Sequence, residues 1–338
     1  MTMTATMTKQ LAAALAAAGV PVERVRDTRE LSGSTYDYND VTGVTLDDGR
    51  QLVLKVPPHE NRPGLAYERD LLRAEAMFCR AAHEAEGAVP VPRVEAVHTD
   101  AVAGAGPFLL MTALPGTRWP EAREHFLEGE QEALRHDLGN LVARLHTVVG
   151  DGFGYPSGAL GPLAGTWREA FSRMVDAVVD DARRFGARLP RPAEEMAGVL
   201  RRAYPVLDEV VVPRLVHFDL WEGNVLVDGG PRGPRIGGLV DGERMFWGDP
   251  LADFASGALL GEIEGDPYFL DGYRQEAGGF VVFDEATRLR IALYRCYLYL
   301  IMLVEQGPRG ASAAERRWAR REVVPSLTAA MATVAALS

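Results

Sequence analysis

The most informative part of this chain is His217-Phe-Asp-Leu-Trp-Glu-Gly-Asn224-Val-Leu-Val227, followed shortly by Gly238-Leu-Val-Asp241-Gly-Glu243. Two short runs, Val225–Val227 and Ile236–Val240, are rich in β-branched residues, which favour strands. Between them, Asp228-Gly-Gly-Pro231 has the composition of a turn. The segment therefore predicts a β-hairpin, and by itself it is also compatible with an ordinary hairpin that has polar turns.

The polar side chains around this hairpin follow a recognisable order. Asp219 and Asn224 lie on the loop that enters the first strand, and Asp241 directly follows the second. A run Gly248-Asp249-Pro-Leu-Ala-Asp253 comes next. Together they resemble the aminoglycoside phosphotransferase and related small-molecule kinase family, with its motifs H-x-D-x-x-x-x-N, D-x-[DE] and G-D-P-x-x-D. One departure is Phe218, which stands where the family more often has glycine.

The resemblance implies a fold. It is an α+β, bilobal protein-kinase-like architecture with an antiparallel β-sheet N-lobe and a mostly helical C-lobe. We expect the N-lobe, which binds the nucleotide, over residues 1–112 and the C-lobe over 113–338. The active site would lie in the cleft between them.

The same resemblance implies roles for the motif residues. In phosphoryl transfer the protein mainly positions groups and neutralises charge. Asp219 is expected to be the catalytic base, while Asn224 and Asp241 hold Mg²⁺ through oxygen atoms. Glu243 is left open between assisting the metal and a structural role. Residues expected to brace the loop or cap a helix beside it are His217, Asp249 and Asp253.

Upstream, Gln51–Val56 reads as a strand that carries Lys55 among apolar residues. Such a lysine points either to solvent or to a partner, and with a phosphate it would act as a compact charge. The loop Ser32-Gly33-Ser34-Thr35 has only one glycine, so an ordinary turn is a real alternative. The resemblance implies that its backbone and Ser34 contact nucleotide phosphates.

Residues 65–84 have the apolar spacing of one long helix, on which Glu68 and Glu75 share a face because they are seven residues apart. One of the two is expected to pair with Lys55 and orient it. The family spacing favours Glu75, and Glu68 is the alternative.

The apolar run Pro107–Gly116 predicts a strand that ends in a Pro-Gly turn. In the family that the sequence resembles, this run is the hinge whose backbone binds adenine. The resemblance therefore implies that Thr112 and Leu114 contact ATP or GTP. Apolar spacing then predicts helices over 131–149, 166–185, 191–211 and 283–306, with His146 packed beneath the catalytic loop.

Composition limits the function classes. A net charge of −11 on 338 residues argues against general nucleic-acid binding, which needs a basic surface, and is compatible with a cationic substrate or simply with solubility. The two cysteines are far apart in apolar stretches and predict neither a disulfide nor a zinc site. With no signal-peptide pattern and no membrane-spanning run, we expect a cytoplasmic monomer or homodimer.

The acceptor side is the least determined part. Trp221 and Glu222 lie between the base and a metal ligand, and downstream carboxylates could match ammonium groups of an aminoglycoside or related antibiotic. Those carboxylates are Glu262, Glu264 and Asp266. A solvated loop, a metabolite kinase of fructosamine, choline or homoserine type, and a catalytically silent nucleotide-binding relative are the alternatives.

Overall fold

The computed structural model describes residues 5–31, 39–57, 63–99, 106–230, 233–279 and 281–338. Its first part is built on five strands: β1 Val25–Glu30, β2 Asp40–Leu46, β3 Gln51–Val56, β4 Val94–His98 and β5 Phe108–Thr112. They form one antiparallel sheet in the order β1-β2-β3-β5-β4. The predicted Ser32–Thr35 loop, with Ser34, lies outside the described residues.

Each face of this sheet is covered by one helix. Leu52 and Leu54 of β3 belong to a core with helix α1 (Ala5–Ala17), whereas Val53 packs with helix α2 (Leu71–Ala82). Because successive side chains of a strand point to opposite faces, Lys55 lies on the α2 side with Val53. The strand periodicity thus directs the lysine toward α2.

The long helix predicted over 65–84 is wrong in its first part. A short 3₁₀ helix spans Ala66–Glu68, Asp70 then adopts a left-handed backbone with φ of 62°, and α2 begins only at Leu71. The break removes Glu68 from the helix that carries Glu75. The two glutamates therefore do not share a face.

The rest of the chain is mostly helical. Its helices are α3 Trp119–Ala122, α4 Glu130–Leu145, α5 Trp167–Arg184, α6 Ala193–Ala203, α7 Leu251–Gly257, α8 Pro267–Ala277, α9 Glu285–Val304 and α10 Ala313–Leu337. The predicted helix over 191–211 is shorter, because α6 gives way to a 3₁₀ helix, Tyr204–Glu209, with a proline in its first turn. In α9, Tyr294, Tyr297 and Tyr299 are at most 1% exposed and belong to the core.

The predicted hairpin is present. Strands β6 Thr117–Arg118, β8 Val225–Gly230 and β9 Gly233–Leu239 form a small antiparallel sheet in the order β6-β8-β9, and β7 Arg214–Val216 pairs with β10 Phe246–Gly248. Pairing continues to Gly230 opposite Gly233, so Asp228, Gly229 and Gly230 belong to β8 and not to the turn that the sequence suggested. The loop that carries Asp219 and Asn224 therefore leads directly into β8, which is paired with β9.

The first sheet ends at Thr112, and β6 already pairs with the hairpin. A division of the chain at residues 112 and 113 stays a prediction.

None of the helices in the described ranges combines the length and apolar content that a membrane span requires.

Candidate active site

A cavity of about 1230 Å³ lies between the first sheet and the β8–β9 hairpin. It brings together nine side chains that the sequence singled out in distant parts of the chain. They are Lys55, Glu75, Thr112, Leu114, Asp219, Trp221, Asn224, Asp241 and Glu243.

Lys55 is held by two carboxylates in the floor of this cavity. Its Nζ donates to both carboxylate oxygens of Glu75, at 2.6 and 2.7 Å, and also to Asp241. Lys55 is 5% exposed and Glu75 is 1% exposed. Burial by itself would lower the pKa of Lys55, but Asp241 and Glu75 raise it above its ordinary value, so the ammonium stays charged.

Glu68, the alternative partner of Lys55, lies elsewhere. It is buried against Arg309, whose guanidinium donates to its carboxylate at 2.6 Å. The contact with Lys55 is therefore made by Glu75, and its part in nucleotide binding stays a prediction.

Asp241 sits directly after β9 with a left-handed backbone, φ 60°. Burial alone would raise the pKa of Asp241, but Lys55 holds it below its ordinary value, so the group is a carboxylate. Arg118, from β6, approaches the second carboxylate oxygen to 3.8 Å. The end of the hairpin thus presents a charged oxygen group to the cavity.

The loop before β8 is anchored by hydrogen bonds to Asp253, whose side chain is fully buried. Its two carboxylate oxygens accept the backbone N–H groups of His217 at 3.0 Å and Phe218 at 2.7 Å. His146 Nε2 lies 3.1 Å from the same carboxylate, which agrees with the expected place of His146 beneath the loop. Asp253 therefore fixes the backbone that leads to Asp219.

The His217 side chain ties the loop to β9. Its Nε2 lies 3.0 Å from the Val240 carbonyl oxygen, and its Nδ1 lies 3.2 Å from the Asp219 N–H. These partners require the neutral imidazole with its proton on Nε2. A ring used in this way positions the loop.

Phe218 has a left-handed backbone, φ 61°, a conformation that glycine adopts more readily than other residues. The strain is offset because the ring is fully buried and packs on Phe246 and Tyr297, with ring centroids 5.0 and 5.6 Å away. The Phe218 ring thus anchors the loop in the core.

Asn224 is oriented by Asp219. The Asn224 amide nitrogen donates to the Asp219 carbonyl oxygen at 2.8 Å and to its carboxylate at 3.1 Å. Because the amide nitrogen makes both of these bonds, neither of them uses the amide oxygen of Asn224. Arg244 Nε lies 3.8 Å from the same Asp219 carboxylate oxygen, Oδ2.

Asp249 was expected to cap a helix, with Pro250 at the first helical position. The Asp249 carboxylate accepts the N–H of Leu251, the first residue of α7, at 3.1 Å, and Pro250 has a helical backbone with φ −48° and ψ −33°. The same carboxylate also accepts the Tyr294 hydroxyl at 2.7 Å and the Arg290 guanidinium at 3.1 Å. Its side chain therefore connects α7 to α9.

The carboxylates proposed for a cationic acceptor are each paired with an arginine. Glu264 bonds Arg288 at 2.8 Å, and Asp266 bonds Arg135 at 2.6 Å while capping α8 through the Phe269 N–H at 3.0 Å. The other two pairs are Glu222 with Arg123 and Glu262 with Arg295. This stretch is thus largely charge-compensated.

Several residues of the site had little or no sequence signal. Arg244 is joined through Glu305 to Arg309, at 3.0 and 3.2 Å, at the end of α9. Glu243, which the motif did indicate, accepts a hydrogen bond from Asn39 at 2.8 Å, and burial raises its pKa to about 8. Arginines and helix-end glutamates are common on surfaces, so only the fold could single them out.

Asn224 and Asp241 are the cavity residues expected to hold a divalent cation. Across the described residues, no cluster of three or more histidines, cysteines or acids could hold a metal. Asn224 and Asp241 supply an amide oxygen and a carboxylate that is 28% exposed. This set fits Mg²⁺, which commonly takes one or two protein ligands and completes its shell with water and substrate phosphates.

The sequence matches the family model described as "Phosphotransferase enzyme family" over residues 38–293. The chain belongs to this family. An aminoglycoside 3'-phosphotransferase of Streptomyces fradiae is 31% identical over 199 residues, which cover 55% of this chain and 64% of that protein. The match therefore spans just under two thirds of the curated relative.

Solved structures share the fold along nearly the whole chain. A protein assigned as a fructosamine-3-kinase from Thermobifida fusca has a TM-score of 0.64 at 23% identity, covering 96% of this chain and 99% of its own. A thermostable mutant of the aminoglycoside phosphotransferase APH(4)-Ia, in ternary complex with ADP and hygromycin B, has a TM-score of 0.60 at 18% identity, covering 94% and 96%. The bilobal, protein-kinase-like α+β fold is thus confirmed.

Proposed function

We propose that this protein is an ATP-dependent phosphotransferase that moves the γ-phosphate to a hydroxyl of a small molecule. The observation that carries the proposal is the meeting of Lys55, Asp219, Asn224 and Asp241 in one cavity, with Lys55 held by Glu75. A silent relative would be expected to lack at least one of these groups. GTP is the alternative phosphoryl donor.

In this proposal Asp219 accepts a hydrogen bond from the acceptor hydroxyl and orients its oxygen toward the γ-phosphorus. As the new P–O bond forms, Asp219 takes the hydroxyl proton, and the bond between the γ-phosphorus and the leaving nucleotide oxygen breaks. Lys55 binds phosphate oxygens. Asn224 and Asp241 would hold Mg²⁺, which neutralises phosphate charge.

Among acceptors, an aminoglycoside or related cationic antibiotic is the first proposal, supported by the curated Streptomyces fradiae relative and the net charge of −11. The acidic stretch at 262–266 lends little support, because its carboxylates already pair with arginines. A metabolite kinase of fructosamine, choline or homoserine type is the second.

The test is phosphoryl transfer by the purified protein with Mg²⁺ and ATP or GTP. The acceptors are hygromycin B, gentamicin, a fructosamine, choline, homoserine and neutral sugars. We expect one class to gain a single phosphoryl group by mass spectrometry. In the matched Asp219→Asn variant, kcat should fall by roughly 10²–10⁴-fold with nucleotide affinity retained.

Two outcomes would contradict the proposal. Turnover of the Asp219→Asn variant near the wild-type rate would show that Asp219 is not the catalytic base. Nucleotide binding without transfer to any hydroxyl compound would instead indicate the silent relative.

A further inference from the structure

Trp221 and Leu259 form a ridge between two cavities. Both line the 1230 Å³ cavity that contains Asp219 and a neighbouring cavity of about 770 Å³. The Trp221 ring lies against the Gly223 backbone, since a Cβ at 223 would be 2.2 Å from it, and the residue is 38% exposed. An anchored aromatic surface thus lies two residues from the proposed base.

The cavity wall formed by the end of α9 and the start of α10 carries four apolar side chains beside the polar residues Glu305, Gln306, Arg309 and Glu315. Leu298 and Met302 lie on the same face of α9 as Glu305, and Ala314 and Trp318 lie on one face of α10. Met302 and Trp318 are only partly buried. Glu305 pairs with Arg244, which approaches Asp219, so this wall is next to the base.

The charged groups near this wall are largely paired with one another. Arg244 bonds Glu305 at 3.0 Å, and Arg309 lies 3.2 Å from Glu305 and 2.6 Å from Glu68. In the neighbouring cavity, Glu222 and Asp266 are paired with Arg123 and Arg135. A polycation would have to break such pairs, whereas an apolar group would cover surface that water now contacts.

From these contacts we infer that the acceptor carries a contiguous aliphatic or aromatic face beside the hydroxyl that is phosphorylated. This face packs on the ridge of Trp221 and Leu259 and on the wall of Met302 and Trp318. The inference rests on the proposed phosphotransferase activity, and among the proposed acceptors it favours molecules with an apolar face over polycationic aminoglycosides. Polar groups of the acceptor would then extend over the ridge toward the neighbouring cavity, and a polycation without an apolar face would be a poor substrate.

The test compares matched pairs of glycosides that differ only in their apolar part. Phenyl and octyl β-glucosides and glucosaminides are set against their methyl counterparts and gentamicin. Binding is measured by calorimetry with Mg²⁺ and ADP, and transfer is measured with ATP. We expect the apolar member of a pair to bind at least roughly tenfold more tightly, with a negative heat-capacity change and little dependence on salt.

Substitutions at Trp318 distinguish acceptor binding by this wall from a purely structural role of the residue. Trp318→Ala should raise the dissociation constant and KM of the apolar acceptor roughly tenfold, with the KM for ATP unchanged, and Trp318→Phe should recover most of the loss. Val211→Ala, at a residue that is 77% exposed and outside both cavities, is the matched control and should change neither.

The inference is overturned if phenyl and octyl glycosides bind no better than methyl ones. It is also overturned if gentamicin is preferred with an affinity that falls as salt rises. Because binding is measured apart from transfer, these results are distinguishable from failure of the phosphotransferase itself, which would show as acceptor binding without turnover.

Discussion

Removal of the Lys55 ammonium should separate the stability of the site from its activity. Lys55→Met leaves the Glu75 carboxylate 1% exposed and without the partner that now donates to both its oxygens. Breaking a buried ion pair from one side costs about 3–5 kcal/mol of unfolding free energy. Alternatively Glu75 takes up a proton, which at pH 7 costs about 4 kcal/mol for a glutamate of ordinary pKa. Both routes predict a loss of unfolding free energy of about 3–5 kcal/mol at pH 7.

The double variant Lys55→Met/Glu75→Met is the control. Both variants deprive Asp241 of Lys55, but only the single variant keeps a buried Glu75 carboxylate without its partner, and replacing both members of a buried pair by apolar residues of similar size is often neutral. We expect the double variant to be more stable in urea than the single variant by about 3–5 kcal/mol. Both variants should lose phosphoryl transfer by at least roughly 10²-fold, since both lack the Lys55 ammonium that is proposed to bind the phosphates. The stability of the site would then be restored without its function.

The pH dependence gives a second check. Burial already raises the pKa of Glu75 in the wild type, and removal of Lys55 raises it further. An acid with a raised folded-state pKa stabilises the fold below its unfolded pKa, and this stability is lost as pH rises toward the folded value. The gap between single and double variants should therefore shrink from pH 7 to pH 5. Equal urea midpoints for both variants at pH 7 would refute the argument.

Two further predictions concern the scaffold. Asp253→Ala should destabilise the protein by about 1–3 kcal/mol for each of the two backbone N–H groups it leaves unpaired, and urea unfolding that shifts by less than 1 kcal/mol would contradict this. In α8, Gly272→Ala places a Cβ 1.9 Å from a carbonyl oxygen of α4 and should lower the free energy of unfolding by about 1–3 kcal/mol. In α6, a Cβ at Gly198 meets nothing within 4 Å, so Gly198→Ala should raise the free energy of unfolding by about 0.5–1 kcal/mol. If both alanine variants changed the melting temperature in the same direction, the close-packing explanation for α8 would be wrong.

The motif residues could be selected from sequence because their spacing is local. Asp219 and Asn224 share one loop, and Asp241 follows the strand that pairs with β8, so the family motifs could be recognised along one short stretch of sequence. Lys55 could be selected because a charged residue in an apolar strand needs a partner. The choice of Glu75 over Glu68 depended on family spacing, since the seven-residue separation suggested one continuous helix.

What only the tertiary structure decided are the pairings between residues far apart in the chain. The left-handed Asp70 removed Glu68 from α2 and left it to Arg309, 241 residues later. Distant arginines likewise neutralised the acidic stretch at 262–266, which looked free in sequence. A sequence displays charge and periodicity along the chain, whereas the availability of a charge depends on which element packs against it. The sequence by itself therefore determined the family and the candidate catalytic groups, and the packing of α9 and α10 decided which side chains line the cavity beside Asp219.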